Sequence, residues 1–225
     1  LCEDLPNVLK SMQAGVDRVV TIVKALRSFV RFDEAPIKPL DLNQSLDDLL
    51  ELLKSQLSPV NELEIIVDRQ YSPLPPVECF ASEINQAFLN LLTNAIEALH
   101  IQLNRTPALP SPHLTLKTSI LRHPPNPTHP PHHPQHHAPS NSPWVLIEIH
   151  DRGLGIPPEH TSKIFNPFFT TKPVGRGAGI GLTSAYRIIV QEHGGRLDHH
   201  PHPLGGSIFT VHLPTQFYQT ADLNR

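Results

Sequence analysis

Cysteine is nearly absent from this 225-residue chain: Cys2 and Cys79 are the only two. Two thiols make neither a disulfide framework nor a cysteine-based zinc pattern. They fit a reducing compartment, and the expectation is a cytoplasmic protein. Excess charge of one sign is also lacking. With 18 Lys and Arg against 21 Asp and Glu, the formal charge is −3, so nothing points to nucleic acid or an anionic membrane as the main partner. No apolar run approaches the roughly 20 residues that span a bilayer, and no signal peptide opens the chain. Methionine occurs once, as Met12, and the first residue is Leu1. The chain therefore reads as a fragment or a processed product, and a membrane anchor could lie upstream of it.

Proline and histidine are abundant, at 25 and 15 residues. Many fall in residues 122–143, R-H-P-P-N-P-T-H-P-P-H-H-P-Q-H-H-A-P-S-N-S-P. This proline density forbids both helix and central strand. The expectation is a disordered, low-complexity insertion between two strands. His132, His133, His136 and His137 could bind nickel, copper or zinc opportunistically, but a selective site needs ligands fixed by surrounding contacts.

The clearest periodicity opens the chain. Leu9, Met12, Val16, Val19, Val23, Leu26 and Val30 alternate steps of three and four, which is a heptad seam. Val20, Ile22 and Phe29 widen it, as in a helix with several neighbours in a four-helix bundle. Residues 1–35 are expected to form that helix, and Pro36 and Pro39 separate it from a domain over 36–217, with 218–225 as a tail. Within the domain, 37–42 reads as a short strand. A helix to about Leu57 follows, capped by Asn43 or Ser45, with Leu46, Leu49, Leu50 and Leu53 on one face. Strands are expected at 63–69, 114–121 and 144–150. Helices are expected from 80 to about 102 and from 181 to about 193, and a terminal hairpin pairs 196–200 with 207–213. This order predicts an α+β domain: a two-layer α/β sandwich with a mixed sheet covered on one face by helices.

Four separated segments carry chemistry. In 88–99, F-L-N-L-L-T-N-A-I-E-A-L, Asn90 and Asn94 lie four apart on one helix face. An amide carbonyl is a hard, neutral ligand suited to a Mg²⁺ that already carries phosphate oxygens. In 151–157, D-R-G-L-G-I-P, Asp151 can accept from an exocyclic amine, while Gly153 and Gly155 let backbone approach a ligand. In 164–172, I-F-N-P-F-F-T-T-K, Phe165, Phe168 and Phe169 are apolar anchors, and Thr171 and Lys172 are placed to meet phosphates. In 175–182, G-R-G-A-G-I-G-L, Gly175, Gly177, Gly179 and Gly181 form a loop whose backbone donors precede a helix. No G-K-[ST] follows, and no strand leads into the loop, so neither a Walker loop nor a dinucleotide fingerprint fits.

In this order the segments resemble the ATP-binding domain of sensor histidine kinases, in the superfamily that also holds gyrase, heat-shock chaperone and mismatch-repair ATPases. The resemblance implies a Bergerat-type fold with ATP and Mg²⁺ as ligands. It gives the metal to Asn94 and the adenine amino group to Asp151. Nucleotide contacts would come from Asn90, Gly153, Gly155 and Phe168, then from Thr171, Lys172, Gly177, Gly179, Gly181 and Leu182. Gly205, Gly206, Ser207 and Phe209 resemble the last box of the family, although G-A-G-I-G-L departs mildly from the usual G-T-G-L-G-L. Hydrolysing members place a glutamate where this chain has Asn90, so transfer is implied rather than hydrolysis. Residues 15–34 look like the second bundle helix of a histidine kinase. The first histidine of the chain is His100, and no acceptor histidine precedes it. The implied partners are a second copy, paired through the bundle, and the receiver domain of a response regulator. A nucleotide-binding regulatory module without transfer, or a related serine kinase, are the alternatives.

Overall fold

The computed structural model describes residues 37–57, 65–105, 112–122, 142–172 and 177–217. The expected bundle helix, the His/Pro-rich insertion and the tail lie outside the described residues, apart from Arg122, Ser142 and Pro143 at the insertion's ends.

Strand β1 (Lys38–Leu40) leads into helix α1 (Leu42–Leu52), which buries Leu42, Ser45, Leu46, Leu49 and Leu50. The cap is Asp41, whose carboxylate accepts from the Gln44 N–H at 3.1 Å. This corrects the expectation of Asn43 or Ser45. Both have the right chemistry for a cap, but both are drawn into tertiary hydrogen bonds. Asn43 donates to the Ser72 carbonyl at 2.9 Å and accepts from the Thr118 hydroxyl at 3.0 Å. Ser45 donates to Asn85. A single turn, α2 (Lys54–Leu57), follows.

Strand β2 (Ile66–Tyr71) and the prolines after it lead to β3 (Val77–Cys79), which sequence reasoning passed over. Three residues after a proline cluster carry almost no periodic signal. Its antiparallel pairing with β1, and a bond from the Glu78 N–H to the Thr215 carbonyl at 3.0 Å, define it instead.

Helix α3 (Ala81–Arg105) is the longest element among the described residues, 25 residues or about 37 Å. Strands β4 (His113–Leu121) and β5 (Trp144–Asp151) pair antiparallel to their ends, with Leu121 opposite Trp144. The strands that flank residues 122–143 therefore end side by side. Beyond a short helix α4 (Pro158–Thr161), helix α5 (Gly181–Tyr186) widens into a π-helical stretch (Arg187–Glu192). The His193 N–H closes that stretch on the Ile188 carbonyl at 3.1 Å. Strands β6 (Arg196–Pro201) and β7 (Ser207–Pro214) form the hairpin.

The main sheet runs β2-β4-β5-β7-β6, with β2 and β4 parallel and the other neighbours antiparallel. The parallel pair needs a crossover, and α3 supplies it. One core joins Leu114, Leu116, Ile147, Ile149, Phe209 and Val211 of the sheet to Leu46 and Leu50 of α1, Phe88, Leu92 and Ile96 of α3, and Ile189. The mixed sheet and its helical layer make the α+β two-layer sandwich read from the sequence.

Asp41→Ala should lower stability by about 1 kcal/mol, the usual loss of a cap. Asn43→Ala should cost more, about 1–3 kcal/mol, because it removes two hydrogen bonds, one with buried Thr118 and one with half-buried Ser72. Urea denaturation midpoints measure both, and an equal loss would contradict the reassignment of the cap.

Candidate functional site

A cavity of about 650 Å³ opens between α3, the β5–α4 connection, residues 169–172 and the loop entering α5. Helix α3 forms one wall because its two faces differ. Ile84, Ala87, Phe88, Leu91, Leu92, Ala95 and Leu99 are buried in the core. Asn90, Asn94, Glu97 and Ile101, spaced by four, three and four, line the cavity. Asn90 accepts from the Gln86 amide at 3.2 Å. A side chain built on Gly181 would begin 3.9 Å from Asn90, so the start of α5 lies beside it. The Asn94 amide has no hydrogen-bond partner among the described residues, and both its atoms are available to a ligand.

Asp151 ends β5 and also lines the cavity, with only 1% of its surface exposed. Its Oδ1 accepts from the Gly153 N–H at 2.9 Å and the Ser207 N–H at 3.3 Å. Burial pushes its carboxyl up from 3.8 to about 6, against the pull of those two bonds. Two glycines make the arrangement possible. Gly206 has φ +100° and packs so that an added Cβ would lie 2.0 Å from the Asp151 carbonyl. Gly153 lies behind the wall, where a Cβ would come 2.7 Å from Ala98. It sets the distance between the loop and α3 and does not itself face the cavity.

The third and fourth segments close the site. Thr171, Lys172, Gly177, Gly179, Gly181 and Leu182 line the cavity, as does Gly155. Gly175 and Arg176 lie outside the described residues. Phe168 requires a correction. It is 71% exposed, with φ +65°, and the adjacent Phe169 lines the cavity in its place. The Phe168 N–H donates to the Gly179 carbonyl at 2.9 Å, which ties the backbone to the glycine loop and leaves the ring in solvent. Sequence reasoning gave no part to His160, whose ring meets Phe169 edge-on at 5.4 Å, or to Ser207 as a donor to Asp151. The glycines before Ser207 were a signal for the second; none marked the first. Lys172 forms an ion pair with Glu97 on α3.

The lining holds two groups of donors and acceptors. Asn90 lies beside Gly181 and the Lys172 stem beside Gly177, so an amide and a lysine border the glycine loop, while the buried Asp151 carboxylate is held by the Gly153 and Ser207 N–H groups. The first group suits a cation carrying phosphates. The second suits a flat base that offers an amine.

Residues 81–216 match the family described as histidine kinase-, DNA gyrase B- and HSP90-like ATPases. The chain belongs to that family. The match begins at the first residue of α3 and spans all four segments. The sensor kinase CckA of Brucella abortus (strain 2308) is 32% identical over 189 residues, covering 84% of this chain and 18% of that protein. The sensory histidine kinase/phosphatase NtrB of Vibrio alginolyticus is 28% identical over 191 residues, covering 84% of this chain and 49% of that protein. The chain thus spans 18% to 49% of the length of these curated relatives. Among solved structures, the nucleotide-free catalytic domain of the histidine kinase ThkA superposes with a TM-score of 0.60 at 23% identity, over 81% of this chain and 97% of that one. Full-length ShkA in complex with AMPPNP gives 0.65 at 20% identity, over 95% of this chain and 39% of that one. Fold and family are those of a histidine kinase ATP-binding domain. Among the described residues no helix is long and apolar enough to cross a membrane.

Asp151 binds its proton more tightly in the folded state, with a value of about 6 against an ordinary 3.8. The stability it contributes is therefore complete below about pH 4 and lost as pH rises through 6. Asp151→Asn keeps an Oδ1 acceptor without the buried charge. It should gain up to about 3 kcal/mol over wild type at pH 8 and nothing near pH 4. Thermal denaturation across that range tests this; a pH-independent difference would contradict it.

Proposed function

We propose that this chain is the ATP-binding catalytic core of a two-component sensor histidine kinase, which directs the γ-phosphoryl of Mg-ATP to a histidine. The observation that carries the reading is that one cavity is lined both by Asn90, Asn94 and Lys172 and by the buried carboxylate of Asp151. In this reading Asp151 accepts from the adenine amino group, and Gly153 and Gly155 keep the loop close to the base. The Asn94 carbonyl ligates the metal, with Asn90 beside it. Thr171, Lys172 and the backbone of Gly177, Gly179, Gly181 and Leu182 surround the phosphates. A Mg²⁺ held by these residues would supply positive charge to offset that of the phosphates. The protein's contribution is position and charge, the main requirements of phosphoryl transfer. Asn90 stands where a hydrolysing enzyme needs a base, which supports transfer to a protein acceptor over attack by water.

The acceptor histidine belongs to another segment, since the first histidine here, His100, lies on α3 with its Nε2 buried. Residues 1–35 supply one helix of a dimeric bundle, residues 36–217 form the ATP-binding domain with its insertion at 122–143, and the phosphohistidine passes its group to an aspartate of a response regulator receiver domain. The second reading is a nucleotide-regulated module without transfer.

The experiment that separates them supplies γ-labelled ATP, magnesium and an upstream bundle helix bearing an acceptor histidine. Acid-labile, alkali-stable label on the supplied helix is the expected result, and binding without label favours the second reading. Asn94→Ala should weaken Mg-ATP binding by at least about tenfold, the loss of one charge-assisted contact. Unchanged affinity by calorimetry would overturn the metal assignment.

A further inference from the structure

Among the described residues that line the cavity, Lys172 is the only lysine or arginine, and Glu97 and Asp151 are the only carboxylates. Lys172 is already partnered: its ammonium bonds to Glu97 across 75 residues of sequence. The rest of the residue is fixed as well. Its N–H donates to the Thr170 hydroxyl at 3.1 Å, and its stem packs beneath the glycine loop, where a Cβ on Gly177 would lie 2.9 Å from Lys172 Cδ. Glu97 lies on the same stripe of α3 as Asn90 and Asn94. Among the described residues, the one lining lysine that a polyanion could reach therefore already carries an internal anion.

We infer that Glu97 is an intramolecular competitor of the triphosphate for Lys172, and so a residue that sets nucleotide affinity. The inference rests on reading the cavity as an ATP site. A ligand with several phosphate charges draws Lys172 away, and Glu97, with 41% of its side chain exposed, turns to water. Adenosine has no phosphate with which to compete and leaves the pair intact. Once the γ-phosphoryl has gone, the weaker anion holds Lys172 less firmly, and recapture by Glu97 favours release of the diphosphate. The pair is half-exposed, with 28% of the Lys172 side chain accessible, which keeps the competition close.

The test is a calorimetric double-mutant cycle on the full chain, with Mg-ATP and adenosine as ligands. Glu97→Gln should tighten Mg-ATP by about 2- to 5-fold, the range an exposed ion pair spans, and leave adenosine unchanged. In a Lys172→Gln background the same substitution should have no effect on Mg-ATP. A gain of equal size in that background would show simple repulsion between Glu97 and phosphate, and would overturn the competition. No change, or a loss, on Glu97→Gln alone would overturn it as well. Glu97→Ser provides a second variant with the same expectation, and at this exposure neither disturbs the core. Wild type that binds no Mg-ATP would instead contradict the ATP-site reading itself.

Discussion

Burial of one face of α3 against the sheet is the constraint on which the site depends. Phe88, Leu91, Leu92, Ala95, Ile96 and Leu99 are fully enclosed. Each large side chain among them is worth about 1.5–3 kcal/mol on burial. That anchoring fixes the rotation of the helix. Once rotation is fixed, the 3.6-residue period alone places Asn90, Asn94 and Glu97 on the cavity side. Moving any of the three would require rotating a helix of 25 residues out of its core. The backbone that carries the polar stripe is thus as rigid as the core behind it, a sound basis for chemistry that consists mainly of positioning.

The second fixed point is Asp151. An enclosed carboxylate costs free energy, and its proton affinity shows this. Two backbone N–H groups offset part of the cost without neutralising the charge. Both donors exist because glycine precedes one and is the other: Gly206 brings Ser207 into place, and Gly153 turns tightly against Ala98. The hairpin β6–β7, distant in sequence, is therefore part of the cavity floor. The Glu97–Lys172 pair, by contrast, is partly exposed, with 41% and 28% of the two side chains accessible, so exchanging it costs little. Adjustment on ligand binding falls there and not in the core.

Much of this was legible in the sequence, for identifiable reasons. The Asn90–Asn94 spacing specifies a face on any helix, and glycine-rich loops next to helices declare themselves. Lys172 and Asp151 could be named because they sit inside such segments. Other features depend on contacts that local pattern does not encode. Asn43 and Ser45 have capping chemistry, yet partners 29 and 40 residues away claim them. Of the adjacent Phe168 and Phe169, only the fold decides which faces inward, because a one-residue shift in a loop has no period to read. Strand β3 is too short to show alternation. The π-helical stretch after Tyr186 has no composition of its own. Glu97 was visible as a neighbour of the motif, but its pairing with Lys172 belongs to the tertiary structure.

The central claim is that this cavity holds adenine against Asp151 and phosphates against Lys172 and the glycine loop. Comparing ATP with inosine triphosphate, with magnesium present and by calorimetry on the full chain, tests it most directly. The two ligands share their phosphates and differ at the group Asp151 is expected to accept from. The account predicts that ATP binds and that inosine triphosphate, which sets a carbonyl against a carboxylate, binds at least about a hundredfold more weakly. Equal affinities, or no binding of ATP, would contradict it.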